Sequence, residues 1–146
     1  MISVPIAGTG GSITIKVIGY ENPAAGNDSD ANWLRSTVRV SVGPFAGDID
    51  GSLTTQDFAY FERELSEVLR TLQGQATFQT DEDWLRFEVG MGSRGTATVS
   101  GVVKAGGGSH ASLRFSFETD QSFLGETNRA LGAVAKDFPV KQVRAS

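Results

Sequence analysis

Apolar and polar side chains alternate in seven short segments of this 146-residue chain, and this alternation limits its fold more than any other feature. Ile13, Ile15 and Val17, for example, alternate with Thr14 and Lys16. This period of two is typical of a strand that buries one face. The segments span residues 13–17, 33–42, 45–53, 75–80, 84–91, 96–105 and 111–118. Because the last four are joined by short turns, they predict antiparallel pairing with one solvated face.

Two further segments have the three- and four-residue spacing of an amphipathic helix. The first begins at Thr54, a favourable N-cap with Asp57 three residues later, and ends before Gly74. Its apolar stripe consists of Phe58, Phe61, Leu65, Val68, Leu69 and Leu72. The second is predicted over residues 121–136, between an Asp120 cap and Pro139, which prevents its extension.

The element order βββ-α-ββββ-α contains no alternating βαβ rhythm, so it predicts the α+β class. We expect one antiparallel meander sheet of six to seven strands, with both helices packed on its apolar face. The length fits a single domain over residues 1–146. The first eleven residues, which end in Gly8-Thr9-Gly10-Gly11, are predicted to form a flexible N-terminal arm. No internal repeat is visible.

Composition and charge restrict the classes of partner. The absence of cysteine excludes disulfides and zinc–thiolate sites. Residues 21–83 hold twelve acidic and four basic residues, a net charge of −8 that disfavours nucleic-acid binding and favours a basic protein partner. No apolar run is long enough to span a membrane, and the N-terminus lacks the basic region of a signal peptide. The predicted location is therefore the cytoplasm.

Two sequence fragments resemble ligand-binding motifs but depart from them at the positions that matter. Gly90–Gly95 matches G-x-G-x-x-G, yet a strand follows where a dinucleotide site needs a helix, and Phe115 stands where the ribose-binding acid belongs. Asp28–Asn32 resembles the start of a calcium loop, but Trp33 replaces the glycine and Arg39 the bidentate glutamate. We therefore predict no cofactor, whether NAD, ATP, zinc or calcium.

No residue pattern specifies catalysis. His110 is the only histidine, and no serine stands at a spacing that would pair with it. Three consecutive acids, Asp81, Glu82 and Asp83, lie between two predicted strands, where such residues are usually solvated. An enzyme with a carboxylate-based site is the weakest of the functional hypotheses.

The most unusual surface feature is a predicted combination of tryptophan and arginine on the solvated strand faces. Trp and Arg are the residue types enriched at protein-binding hot spots. The predicted partner-binding residues are Trp33, Arg35, Arg39, Trp84 and Arg86, fringed by Asp28, Asp30, Asp81, Glu82 and Asp83. The alternative is that loops or the N-terminal arm cover this face.

Several segments together resemble the WapI-type immunity proteins of bacterial toxin systems, over roughly residues 13–118. These segments are Gly19-Tyr20-Glu21 with Pro23, Asp30-Ala31-Asn32-Trp33-Leu34, Leu53-Thr54-Thr55-Gln56-Asp57 with Leu65 and Leu69, then Phe78 and Leu85-Arg86-Phe87. The chain has Asp81-Glu82-Asp83-Trp84 where many relatives have a Glu-Pro-Asn-like turn. The resemblance implies a cytoplasmic inhibitor that binds a toxin domain and blocks it.

A second functional hypothesis is a small-molecule binding or regulatory domain. Its pocket would lie between the sheet and the helices and would be lined by Phe58, Phe61, Phe87, Phe115 and Phe117. Aromatic residues at these spacings more often form a core, so a deep cavity is the observation that would favour this hypothesis.

Overall fold

A computed structural model describes residues 1–24, 30–106 and 109–141, and these contain eight strands and two α-helices. The first half comprises β1 (Ile2–Ala7), β2 (Gly11–Tyr20), β3 (Trp33–Val42), β4 (Phe45–Thr54) and α1 (Thr55–Thr71). The second half comprises β5 (Gln75–Gln79), β6 (Leu85–Met91), β7 (Thr96–Lys104), β8 (Ser112–Asp120) and α2 (Gln121–Asp137). All seven predicted strand segments contain a strand, and both predicted helices are present.

The strands form two antiparallel sheets of four, with the orders β1-β2-β3-β4 and β5-β6-β7-β8. The α+β class is confirmed, whereas the predicted single sheet of six to seven strands is replaced by these two. Alternation identifies the buried face of each strand but does not specify which strands pair. Here α1 separates β4 from β5 along the chain, and both strands lie at sheet edges.

The N-terminal segment is a strand for most of its length, which corrects the expectation of a flexible arm over residues 1–11. Ile2–Ala7 pairs with β2, and the side chains of Val4 and Ile6 are fully buried. These residues alternate with polar and small ones, so they bury one face as the other strands do. Pro5 is tolerated because β1 is an edge strand, where a missing N–H need not interrupt pairing.

The two halves repeat the same ββββα unit, which the sequence does not reveal. Each helix follows the last strand of its own half and has 17 residues. Each helix also packs against the first strand of the other half: α1 against β5, and α2 against β1. The two helices contact each other as well. The halves therefore exchange helices, and neither buries its first strand without the other.

Side chains and turns satisfy backbone groups at all four sheet edges. The Thr127 hydroxyl donates to the Pro5 carbonyl of β1 at 2.6 Å, and the Glu64 carboxylate accepts from the Thr77 amide of β5 at 3.0 Å. The Thr9 amide donates to the Glu118 carbonyl of β8 at 2.8 Å. The Trp84 indole N–H donates to the Ser52 carbonyl of β4 at 3.2 Å. These contacts join the two sheets and protect their edges from pairing with other chains.

The apolar faces of both sheets and both helices contribute to one cluster of buried side chains. At its centre, the Phe78 and Phe87 rings stack at a centroid distance of 5.2 Å. Phe61 of α1 meets both rings edge-on, at 5.7 and 5.4 Å. Aromatic pairs with such geometries add about 0.5–1.5 kcal/mol each beyond the area that they bury. The apolar stripe of α1 therefore attaches that helix mainly to the second sheet.

The junction between β4 and Trp84 requires a glycine at position 51. A Cβ atom added at Gly51 would overlap the Trp84 ring, which the hydrogen bond to Ser52 holds in place. We expect Gly51→Ala to lower the free energy of unfolding by about 1–3 kcal/mol, the usual cost of overpacking. Urea denaturation measures this change.

Gly47→Ala is the matched control, because it lies on the same strand and a Cβ atom there meets nothing within 4 Å. Equal stability losses in the two variants would contradict a specific overlap with Trp84.

Candidate functional site

Three of the predicted partner-binding residues lie together on β3. Trp33, Arg35 and Arg39 alternate with buried residues, so all three lie on the outer face of the first sheet. Trp33 is half-buried, and both arginines are exposed. The Arg39 guanidinium forms an ion pair with Asp48 of the neighbouring strand at 2.6 Å. Because both side chains are exposed, this pair contributes little to stability.

Arg86 belongs to β6 of the second sheet and Trp84 directly precedes that strand, which corrects the expectation that they share a face with Trp33. Asp83 adopts a left-handed backbone with a φ of 57°, in the turn directly before Trp84. The Trp84 side chain packs on Gly51, whose position on β4 belongs to the core face. Arg86 lies on the outer face of the second sheet, 3.9 Å from Glu88.

The acidic residues Asp81, Glu82 and Asp83 form the exposed turn between β5 and β6. The buried Thr80 organises this turn, since its hydroxyl accepts hydrogen bonds from the amides of Trp84 and Leu85 at 3.1 and 3.4 Å. Asp30 is exposed just before β3. Asp28 lies outside the residues that the structure describes.

Trp33 and Asp81 meet at one groove, although 48 positions separate them in the sequence. The groove has a volume of about 570 Å³ and lies between the start of β3, the first turns of α1 and the β5–β6 turn. We call it the acidic groove; it is lined by Asn32, Trp33, Thr54, Gln56, Asp57, Tyr60, Gln79, Thr80 and Asp81. Two aromatic side chains and two carboxylates line it, and none of these nine residues is basic.

The sequence analysis did not select Tyr60 and Asp57 as site residues. Tyr60 lies outside the apolar stripe of α1 and is 61% exposed. Asp57 has a capping role: its carboxylate accepts from the Thr54 amide at 2.9 Å, and its own amide donates to the Thr54 hydroxyl. An aromatic residue outside the apolar stripe, close to the N-cap of a helix, is the sequence signal that could have identified Tyr60 and the neighbouring Asp57.

Burial raises the pKa of Asp57 from 3.8 to about 6. The hydrogen bonds from Thr54 oppose this rise, while the nearby negative charge of Asp81 adds to it. The folded state therefore holds this proton more tightly than the unfolded chain does. It follows that Asp57 contributes stability at low pH that is lost as the pH rises from 3.8 to about 6.

Two cations of the chain lie over aromatic rings, one of which lines the acidic groove. The Arg63 guanidinium lies over the Tyr60 ring at 5.5 Å, and the Lys141 ammonium lies over Tyr20 at 3.9 Å. Asp83 is 3.6 Å from Lys104. Among the described residues, Asp81 has no basic side chain within ion-pairing distance. The carboxylate of Asp81 is therefore free to pair with a cation from outside the chain.

A second concave surface lies on the outer face of the second sheet and has a volume of about 730 Å³. Its charged side chains are Asp83, Arg86, Glu88, Lys104 and Arg114. Because both signs of charge are present and partly paired, this surface has less electrostatic preference for one class of partner than the acidic groove has.

The phenylalanines that were predicted to line a small-molecule pocket pack into the core instead. Phe58, Phe61 and Phe87 are at most 2% exposed, and Phe115 and Phe117 at most 6%. Phe58 and Phe61 both contact Phe78 edge-on, at centroid distances of 5.4 and 5.7 Å. Rings in mutual contact fill the space that a ligand would need, so the packing does not favour this alternative.

Two other sequence features have defined positions, whereas the start of the calcium-loop-like fragment Asp28–Asn32 lies outside the described residues. Gly90 and Met91 end β6, and β7 begins at Thr96, so a strand follows the G-x-G-x-x-G fragment. His110 is exposed before β8. Within residues 1–24, 30–106 and 109–141, no three His, Cys, Asp or Glu side chains are grouped so that they could hold a metal ion. In the same ranges, neither helix is long and apolar enough to cross a membrane.

Comparison with known proteins identifies the family of the chain. A model described as the Immunity protein WapI-like family matches residues 3–139, so the chain belongs to that family. This match confirms the resemblance that the sequence segments suggested, and it extends to β1 and α2. No curated protein matches the chain.

The acidic groove predicts a specific coupling between its two carboxylates. We expect Asp81→Asn to lower the pKa of Asp57 below about 6, because a neighbouring negative charge is removed. An NMR titration of the Asp57 carboxyl carbon measures this pKa.

The control for this titration is Asp48→Asn, which removes a carboxylate that pairs with Arg39 on the outer face of the first sheet. A pKa of Asp57 that responds equally to both substitutions, or to neither, would argue against direct coupling across the groove.

Proposed function

We propose, from membership of this family, that the chain is a non-catalytic immunity protein that binds a toxin domain in the bacterial cytoplasm and neutralises it. The family supports a protein partner as the ligand class. The net charge of −8 over residues 21–83 supports a basic partner, since complementary charge accelerates association. Inhibition by binding requires a surface that the partner contacts rather than a set of reacting groups.

The acidic groove is the surface that we assign to the toxin. The observation that carries this assignment is the meeting of Trp33 and Asp81, both predicted from the sequence to bind the partner, at one concave site that no basic residue lines. A concave, partly apolar site with a charged rim has the composition of a protein-binding hot spot. Tyr60 adds a second exposed aromatic ring to it.

The neighbouring predicted residues extend this surface. We propose that Arg35, Arg39, Asp30, Glu82 and Asp83 contact the partner at the rim of the interface. Asp28 is proposed on its sequence position beside Asp30. Arg86 lies on the other sheet, so we assign it to a peripheral contact at most.

Trp84 has a different role in this proposal. Its indole donates to the Ser52 carbonyl and packs on Gly51, so it holds the two sheets together. We therefore assign Trp84 to stability and Trp33 to binding.

Growth rescue tests the proposed function. We expect co-expression of this chain to restore growth to cells that produce the toxin domain encoded beside its gene. Trp33→Ala is expected to weaken binding to the purified toxin domain by about 2 kcal/mol or more, roughly 30-fold in Kd. Isothermal titration calorimetry measures this Kd. If co-expression of this chain fails to restore growth to cells that produce any of the toxin domains encoded beside its gene, the immunity function is refuted.

Trp84→Ala is the matched control, because it removes the other tryptophan of the chain. We expect it to lower the free energy of unfolding by about 3 kcal/mol while leaving the Kd per folded molecule unchanged. The converse result, with Trp84 essential for binding and Trp33 for stability, would reverse the two assignments.

A further inference from the structure

We infer that the acidic groove receives an arginine side chain of the partner protein; this inference rests on the proposed function for the existence of a protein partner. The groove is open, has aromatic and carboxylate walls, and lies where β3, α1 and the β5–β6 turn meet. The aromatic and carboxylate groups that line it, and the absence of a basic residue among them, favour the same occupant.

The aromatic walls suit a flat cation. A guanidinium group is planar and weakly hydrated, so it stacks on aromatic faces more readily than an ammonium group does. Trp33 provides the ring with the strongest attraction for a cation, and Tyr60 provides a second ring. The Arg63 guanidinium of this chain lies 5.5 Å from the centre of the Tyr60 ring, so the Trp33 ring is the wall that we assign to the partner's guanidinium.

The carboxylates suit the same group. Asp81 is exposed on its turn and has no basic partner within the described part of the chain. Asp57 is only 8% exposed, and its carboxylate is held in place by the Thr54 amide. The buried carboxylate of Asp57 and the exposed carboxylate of Asp81 can each accept hydrogen bonds from a guanidinium group that enters the groove.

Three other cations of the chain, Lys141, Arg35 and Arg39, do not line the groove. Lys141 is held by two hydrogen bonds between its backbone and the Asn32 side chain, at 2.7 and 2.8 Å, while its ammonium lies over Tyr20. Arg35 and Arg39 are on the outer face of the first sheet, and neither lines the groove. The negative charge of the groove is therefore complementary to a cation that the partner supplies.

A pair of small probes tests this inference without the toxin. N-acetyl-arginine amide and N-acetyl-citrulline amide have nearly the same shape, but only the first is charged. We titrate each into the full-length chain labelled with ¹⁵N and follow the Trp33 indole N–H and the Tyr60 and Asp81 amides. We expect saturable shifts at these three residues with the arginine probe, and about fivefold weaker binding of the citrulline probe.

Two variants and one control locate the contact. Asp81→Asn and Trp33→Leu are each expected to weaken binding of the arginine probe by about threefold or more. Asp48→Asn removes an exposed carboxylate outside the groove, and we expect it to leave probe binding unchanged. Each variant keeps the buried core intact, and its amide spectrum verifies that it is folded.

Each outcome bears on the inference. Equal binding of the two probes, or equal loss in Asp48→Asn and Asp81→Asn, overturns it. Arg144 stands three positions after Lys141 in the sequence, outside the described residues. Probe binding that appears only in an Arg144→Gln variant would identify this chain's own arginine as the occupant and would overturn the inference as well. Growth rescue without probe binding would support the immunity function and refute the inference that the groove receives an arginine. Probe binding without growth rescue would refute the immunity function but not this inference.

Discussion

Every strand at a sheet edge exposes backbone groups that must find a partner, and this chain has four such edges. In this chain, another part of the fold provides a hydrogen-bond partner for each edge strand. Side chains of α2 and α1 bond to β1 and β5, and the turns that follow these two strands reach β8 and β4. The relative position of the two sheets follows from these four contacts, and the continuous core fills the space between them.

The acidic groove is a result of the same arrangement. Trp84 reaches the backbone of β4 from the β5–β6 turn, and this contact brings the acidic residues of the turn towards the start of β3. The first turn of α1 is tied to that point by the bond between the Thr55 amide and the Asn32 carbonyl. Aromatic and acidic side chains from three distant segments thus converge because the edge of the first sheet has to be covered.

Local alternation was sufficient to predict the buried face of β3 and therefore the common orientation of Trp33, Arg35 and Arg39. It could not predict the division into two sheets, because the pairing of strands across a helix depends on contacts between distant residues. The role of Trp84 could not be inferred from alternation either, because its ring packs on Gly51 and bonds to Ser52, which lie 33 and 32 positions earlier in the chain. The groove is formed by three segments that are distant in the sequence. The sequence therefore indicated some of its residues but not that these residues lie close together.

The exchange of helices between the halves also determines when each sheet can be covered during synthesis. β1 is translated before α2, which packs against it and ends at Asp137. Until then the apolar face of the first sheet lacks its cover, and its edge is open to other nascent chains. The first sheet therefore gains its full cover only after α2 has been translated, and the folding of the leading half alone is not sufficient.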